Sequence, residues 1–320
     1  MFFRNTLAVS GLLASFANAM PTYSETRDTS ASPAGKLVIY WGAEDDSTSL
    51  SDVCNDSSYS IVNLSFLDKF FAAGGWPQLS MSYLDGPSQA QRKAGANDLK
   101  DGSPLVSAIK QCQSSGKKVI LSLGGGDANV ELQNDGAGEK VADNLWNLFG
   151  GGTDHKELRP FGDIKLDGFD LDNESGNPTG YLAMVKRLKS HIQSDSSKKY
   201  YLTAAPQCPF PDASEPLDVC KELDYVWVQF YNNGDCNIAQ SDFIRSVKTW
   251  SKGIGNATLF IGALASGADG DQGYVDANTL SGALQQVKNL NLPNYGGAML
   301  WEAQLAVKNG NFQKKIAKAV

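Results

Sequence analysis

Histidine is almost missing from this chain. His155 and His191 are the only two among 320 residues, one in the polar stretch Thr153-Asp154-His155-Lys156 and one in a helical pattern. Surface positions are expected for both, which argues against a histidine-based triad and a histidine-rich metal site. No two of the five cysteines stand as Cys-x-x-Cys, so no zinc site is expected either. No Gly-x-Gly-x-x-Gly turn follows the first strand-like run, which weighs against a doubly wound dinucleotide-binding sheet. No apolar run reaches about 20 residues, the length that crosses a bilayer. Positive charge is also short. Lys and Arg number 28 against 35 Asp and Glu, a formal net charge of −7, which weighs against nucleic acid and anionic membranes as partners. No solenoid repeat is evident. Nothing here calls for a metal or an organic cofactor, and a monomer is the default expectation.

What is present begins with a leader. Arg4 gives a short positive start, Leu7 to Phe16 is largely apolar, and Ala17-Asn18-Ala19 is a small-residue cleavage pattern. Residues 1–19 therefore read as a secretory signal peptide. Residues 20–35, rich in Ser, Thr, Pro and Asp, read as a flexible leader, and residues 36–320 as the folded domain. In a secreted chain, five cysteines suggest two disulfides and one thiol. Cys208 ends one strand-like run and Cys236 closely follows the next, which favours that pair. Cys54 and Cys112 then form the other, and Cys220, on an apolar helical stretch, is expected as a buried thiol.

The most unusual stretch is Leu166-Asp167-Gly168-Phe169-Asp170-Leu171-Asp172-Asn173-Glu174. On a strand, alternate side chains share a face at a spacing of about 7 Å. Asp170, Asp172 and Glu174 would then form one row. A buried row of acids is costly in an ordinary core, so proton chemistry is the sharpest reading. A solvated acidic loop or a cation site of the Asp-x-Asp kind are the plainer ones.

Eight strand-like runs lie at 36–42, 59–67, 118–124, 166–174, 200–207, 225–232, 258–265 and 296–302. Helical spacing separates them. It is clear at Leu105, Ile109 and Cys112, at Val141, Leu145 and Leu148, and at Tyr181, Val185, Leu188 and Ile192. It recurs at Phe243, Val247 and Trp250, at Leu280, Leu284 and Val287, and at Phe312, Ile316 and Val320, with weaker patterns near 49–56 and 215–223. Eight β-then-α units predict a single (β/α)8 TIM barrel, with the site at the C-terminal ends of the strands. The long connection at 68–104 is expected to run over the barrel mouth. The strand ends carry Tyr40, Phe66, Gly124, Gly125, Asp172, Glu174, Gln207, Gln229, Tyr231, Asn232 and Trp301. Flat rings, amides and carboxylates in one mouth suit a neutral polyhydroxylated ligand.

These residues carry a resemblance. Asp167, Asp170, Asp172 and Glu174 stand as Asp-x-x-Asp-x-Asp-x-Glu, and Ser122-Leu123-Gly124-Gly125 as Ser-x-Gly-Gly. Further matches are Ile39-Tyr40-Trp41-Gly42, the run from Ala204 to Asp212, Val228-Gln229-Phe230-Tyr231-Asn232-Asn233, Gly273-Tyr274-Val275 and Met299-Leu300-Trp301. Over roughly residues 36–320 the chain resembles family 18 glycoside hydrolases, within them the hevamine-like class III chitinases of plants and fungi. The resemblance implies hydrolysis of β-1,4-linked N-acetylglucosamine, in chitin or its oligosaccharides, by a substrate-assisted retaining mechanism. It implies Glu174 as general acid, Asp172 holding the acetamido N–H, Asp170 sharing a proton with Asp172, and Tyr231 orienting the acetamido oxygen. Substrate contacts would fall to Tyr40, Phe66, Gly125, Gln207, Gln229, Asn232, Met299 and Trp301. Asp167, Ser122 and Gly124 would be structural members of the motifs. The pairings Cys54–Cys112 and Cys208–Cys236 look like two of the group's disulfides.

Three positions depart from the family's pattern. Ala43-Glu44 replaces Gln-Asn after the first strand, Asp68 stands where Asn is usual, and Asn173 replaces an apolar residue. Four glycosylation sequons occur, at Asn55, Asn63, Asn173 and Asn256. Those at Asn63 and Asn173 fall in expected strands, leaving Asn55 and Asn256 as the plausible acceptors. Two other readings compete with a chitinase. One is a lectin-like carbohydrate-binding protein on the same barrel. The other is an endoglycosidase acting on N-glycan cores.

Overall fold

The computed structural model describes Met1 and residues 35–44, 47–268 and 270–320. The expected signal peptide and leader therefore lie, apart from Met1 and Gly35, outside the described residues. Residues 34–320 make one compact unit.

Eight parallel strands close into a barrel: β1 (Lys36–Trp41), β2 (Ile61–Lys69), β4 (Lys118–Gly124), β5 (Gly168–Asp172), β6 (Tyr201–Ala204), β7 (Tyr225–Gln229), β8 (Thr258–Leu264) and β9 (Tyr295–Trp301). The closing pair is β1 with β9, in register Lys36 to Gly297 through Ile39 to Leu300. A two-residue strand, β3 (Gln78–Leu79), runs antiparallel to the end of β2. It belongs to the long 68–104 connection, which is a packed excursion with Leu79, Met81, Leu84, Ala96 and Leu99 all buried.

The period of two decides what the barrel holds. On β5, Phe169 and Leu171 point outward into the apolar layer beneath the helices, so Asp170 and Asp172 point inward. The inner layer is formed by Val38, Tyr40, Ile61, Ile120, Trp227, Phe260 and Met299, among others. The helices seal the outer layer with one apolar face each. In the helix Tyr181–Ser194 this face is Tyr181, Met184, Val185 and Leu188, each aliphatic side chain contributing about 1.5–3 kcal/mol on burial.

Three strands end earlier than their composition predicts. β5 stops at Asp172, β6 at Ala204 and β7 at Gln229. Glu174, Gln207 and Asn232 therefore stand on loops at the mouth, and Asn173 is a turn residue rather than a strand residue facing the helices. The cause at β5 is hydrogen bonding. The Asn173 N–H turns away from the ladder to Glu215 Oε1 at 2.9 Å, and its amide nitrogen donates to the carbonyls of Asn177 and Ser214. The C-terminal pattern forms the short helix Phe312–Ile316, and another short helix, Ala303–Lys308, precedes it. Cys54 is bonded to Cys112 and Cys208 to Cys236, while Cys220 is a buried free thiol. No helix among the described residues is long and apolar enough to cross a membrane.

Candidate active site

Strand register builds the lowest layer of the site. Ser122, Asp170 and Thr203 are direct neighbours across β4, β5 and β6. Both hydroxyls donate to Asp170, Ser122 to Oδ2 and Thr203 to Oδ1, each at 2.7 Å. The Tyr40 hydroxyl, from β1, adds a third bond to Oδ2 at 2.7 Å and itself accepts from the Trp227 indole N–H at 2.9 Å. Asp170 is wholly buried. Burial pushes its pKa up to about 6, against the pull of the three hydroxyls, which favour the carboxylate.

Asp172 lies one step nearer the mouth. It is set opposite Gly124, where a Cβ would lie 2.0 Å from the Asp172 carbonyl oxygen. That close approach, together with a φ of 127°, requires glycine. The Gly125 N–H then donates to the same carbonyl at 2.9 Å. The Gln229 side-chain amide lies between the two upper acids. Its nitrogen is 3.0 Å from Asp172 Oδ1, 3.2 Å from Glu174 Oε1 and 2.9 Å from the Ala205 carbonyl. Gln207 donates to the other Glu174 oxygen at 3.3 Å. Burial first, then the neighbouring Glu174 and Asp170 charges, hold Asp172 well above the carboxylate range. Glu174 is raised as well, by desolvation of its carboxyl within the cavity, with Gln229 and Gln207 opposing. Its side chain is nonetheless exposed at the rim, so the larger displacement belongs to Asp172. The protons of such a pair titrate jointly. The hydrogen bonds of Asp170 all go to hydroxyls, and Asp172 is joined through Gln229 to Glu174.

Above these acids is a cavity of about 170 Å3. Tyr40, Phe66, Gly125, Asp172, Glu174, Gln229, Tyr231, Asn232 and Trp301, all singled out from sequence, line it. Phe66 and Trp301 stack at 5.7 Å and 20°, and Tyr40 lies 5.5 Å from Trp301. Three residues that sequence reasoning missed also line it: Gly126, Ala205 and Asp271. Asp271 sits in the Gly- and Asp-rich stretch after β8, which has no periodicity to read. It accepts from the Asn232 amide at 3.0 Å.

Two expected contacts are placed elsewhere. Met299 is fully buried in the barrel's inner layer and does not reach the cavity wall. Gln207 is outside the wall, behind Glu174. Asp167, out of step with the other acids, points away from them. It accepts from the Val119 N–H and the Gln113 amide and pairs with Lys198 at 3.0 Å. No cluster of three or more His, Cys, Asp or Glu suited to a metal occurs among the described residues.

The chain as a whole has known counterparts. Residues 36–279 match the family described as Glycosyl hydrolases family 18. The chain belongs to glycosyl hydrolase family 18. It is 64% identical over 319 residues to "Endochitinase 3" of Metarhizium robertsii, covering 99% of both chains. It is 37% identical to the "Acidic endochitinase" of Vitis vinifera, over 84% of this chain and 86% of that one. Among solved structures it resembles the ICChI chitinase from Ipomoea carnea, with a TM-score of 0.76 and 34% identity, over 89% of this chain and 100% of that one. As a family 18 member on a (β/α)8 barrel, the protein is a glycoside hydrolase.

Proposed function

We propose that this chain is a secreted endochitinase that cleaves β-1,4-linked N-acetylglucosamine polymers by a substrate-assisted retaining mechanism. The observation that carries the reading is the Gln229 amide held between Asp172 and Glu174 in the cavity that Trp301, Phe66 and Tyr40 also line. It pairs an acid at the rim with a second acid below it, next to a flat apolar surface for a sugar ring.

In the proposed sequence Glu174 gives its proton to the glycosidic oxygen. The acetamido oxygen of the bound sugar attacks the anomeric carbon as the bond to the leaving sugar breaks, forming an oxazolinium ion. Asp172 accepts a hydrogen bond from the acetamido N–H and balances the developing positive charge. Tyr231 orients the acetamido oxygen. Water then adds to the anomeric carbon, and Glu174 takes its proton back. Asp170, held from below by Tyr40, Ser122 and Thr203, shares a proton with Asp172.

Residues 1–19 serve as the export signal in this reading and residues 36–320 as the catalytic domain. Asn55 and Asn256, both exposed, are the proposed glycan acceptors, since Asn63 and Asn173 are buried. A binding-only role lacks support, because the acid such a protein would dispense with is present.

The deciding experiment compares wild type with Glu174→Gln on N-acetylglucosamine oligomers. Cleavage by the first, and binding without cleavage by the second, is expected. Binding by wild type with no product at any pH from about 3 to 8 would leave only the lectin-like role. A substrate lacking the N-acetyl group should not be cleaved.

A further inference from the structure

β5 ends at Asp172, so no sheet ladder holds Glu174. A ring of hydrogen bonds holds it instead. On one side is Asn173, buried and fully engaged. Its N–H donates to Glu215 Oε1 at 2.9 Å, its amide nitrogen to the carbonyls of Asn177 and Ser214, and its Oδ1 accepts from the Ser175 N–H and hydroxyl. On the other side Asp212 accepts the N–H groups of Ser214 and Glu215 on one oxygen and that of Gln207 on the other. The Gln207 amide then returns to Glu174 Oε2, and the ring closes.

Glu215 is the costly member of this ring. It is 1% exposed, and its second oxygen, Oε2, meets no partner. Burial first, then the carboxylates of Asp212, Asp172 and Asp170, hold it far above the carboxylate range. It uses one oxygen to receive one N–H. An apolar side chain would fill the same space without leaving a buried polar atom unpaired. What an apolar side chain cannot do is accept from the N–H that lies between Asp172 and Glu174.

We propose that Glu215 is a positioning residue: through the Asn173 N–H it fixes the backbone from which Glu174 projects, and so sets the distance of the acid from the bond it protonates. This rests on the reading of Glu174 as the general acid. Displacing a reacting group by about 1 Å costs on the order of a hundredfold in rate, which is the lever available to Glu215.

The test is steady-state hydrolysis of a fluorogenic N-acetylglucosamine oligomer by wild type, Glu215→Ala, Glu215→Gln, Glu215→Asp and Asn173→Ala. Each is assayed well below its melting temperature, with active sites counted by oligomer binding. Glu215→Ala is expected to lose about ten- to a hundredfold in kcat while KM moves less than about twofold. Glu215→Gln, whose amide oxygen can accept the same N–H, is expected to keep kcat within about threefold of wild type. Asn173→Ala keeps the backbone N–H that Glu215 receives, so a smaller loss than that of Glu215→Ala is expected. A lower melting temperature for Glu215→Ala with unchanged kcat per active site would reduce Glu215 to a structural residue and overturn the proposal. So would a Glu215→Gln variant as impaired as Glu215→Ala. Where Glu215→Ala does not fold, Glu215→Asp carries the test: it draws the acceptor back by one methylene, and an unchanged kcat overturns the proposal. Wild type that releases no product brings down the assignment of Glu174, and this inference with it.

Discussion

Tyr40 and Asp170 are 130 positions apart in the chain, and 2.7 Å separates their oxygens. The Tyr40 hydroxyl donates to the carboxylate and accepts from Trp227. Tyr40→Phe removes one of three donors to Asp170 and leaves a buried indole N–H unpaired. A loss of about 1–3 kcal/mol in unfolding free energy is expected. The Asp170 carboxyl should titrate higher, since the lost bond favoured its charged form. Chemical denaturation and a carboxyl titration check the two effects separately, and unchanged values in both would mean that the hydroxyl is idle.

Gln229 holds both upper acids and favours the charged form of each. Gln229→Ala should raise both pKa values and move the acid limb of the pH–rate profile upward, because Asp172 must ionise to balance the oxazolinium. Removing a preorganised donor of this kind costs about a hundredfold in kcat. A profile unmoved on its acid side would show that Gln229 only fills space.

Glu302 caps the helix Ala303–Lys308 by accepting from the Leu305 N–H. It is fully buried, its Oε2 is unpartnered, and burial pushes it up to about 7. The native state thus keeps this proton to higher pH than the unfolded chain does. Its contribution is complete below the unfolded pKa and lost as pH rises through about 7, a change of up to about 3 kcal/mol. Asp170, pushed up to about 6, acts in the same direction. Asp195, held low by Lys165, changes only in much stronger acid. Melting temperature should therefore fall between about pH 4.5 and 7, and Glu302→Gln should flatten the upper part of that fall. An equal slope in both proteins would contradict the assignment.

The Cys208–Cys236 bond closes a loop with a sequence separation of 28 that includes β7 and the mouth residues Gln229 and Tyr231. Replacing both cysteines with serine should cost about 3–4 kcal/mol of stability by the loop-entropy estimate. The kcat below the melting temperature should change much less, because Asp170 and Asp172 stand on β5 and Glu174 just beyond its end, all outside the closed loop. A kcat loss larger than the stability loss would show that the bond shapes the mouth itself.

Much of this was legible in advance, and the limits were physical. Eight apolar runs spaced by helical patterns revealed the barrel, since buried parallel strands need such runs. Alternation placed Asp170 and Asp172 inward. It could not show where pairing stops, because β5 ends on a bond from Asn173 to Glu215, 42 residues away. On β2 a register shift between Leu64 and Leu67 brings Phe66 to the inner layer, against the simple alternation from Ile61 and Asn63. Asp271, Glu215 and Glu302 gave no local signal. Their settings arise from segments that meet only in the fold, and burial, not spacing, makes them unusual.

The barrel is closed by β1 and β9, and the ring of Trp301 rests 5.5 Å from that of Tyr40 across the seam. One wall of the cleft is thus shared between the first strand and the last. A ribosome delivers the amino end first, so the acids of β5 exist long before Trp301 does. Until the final strand is laid beside the first, a sugar arriving at those acids lacks the Trp301 ring. The cleft becomes whole only in the finished chain, and a fragment cut short before residue 301 would keep Asp170, Asp172 and Glu174 and still lack one of the rings set over them.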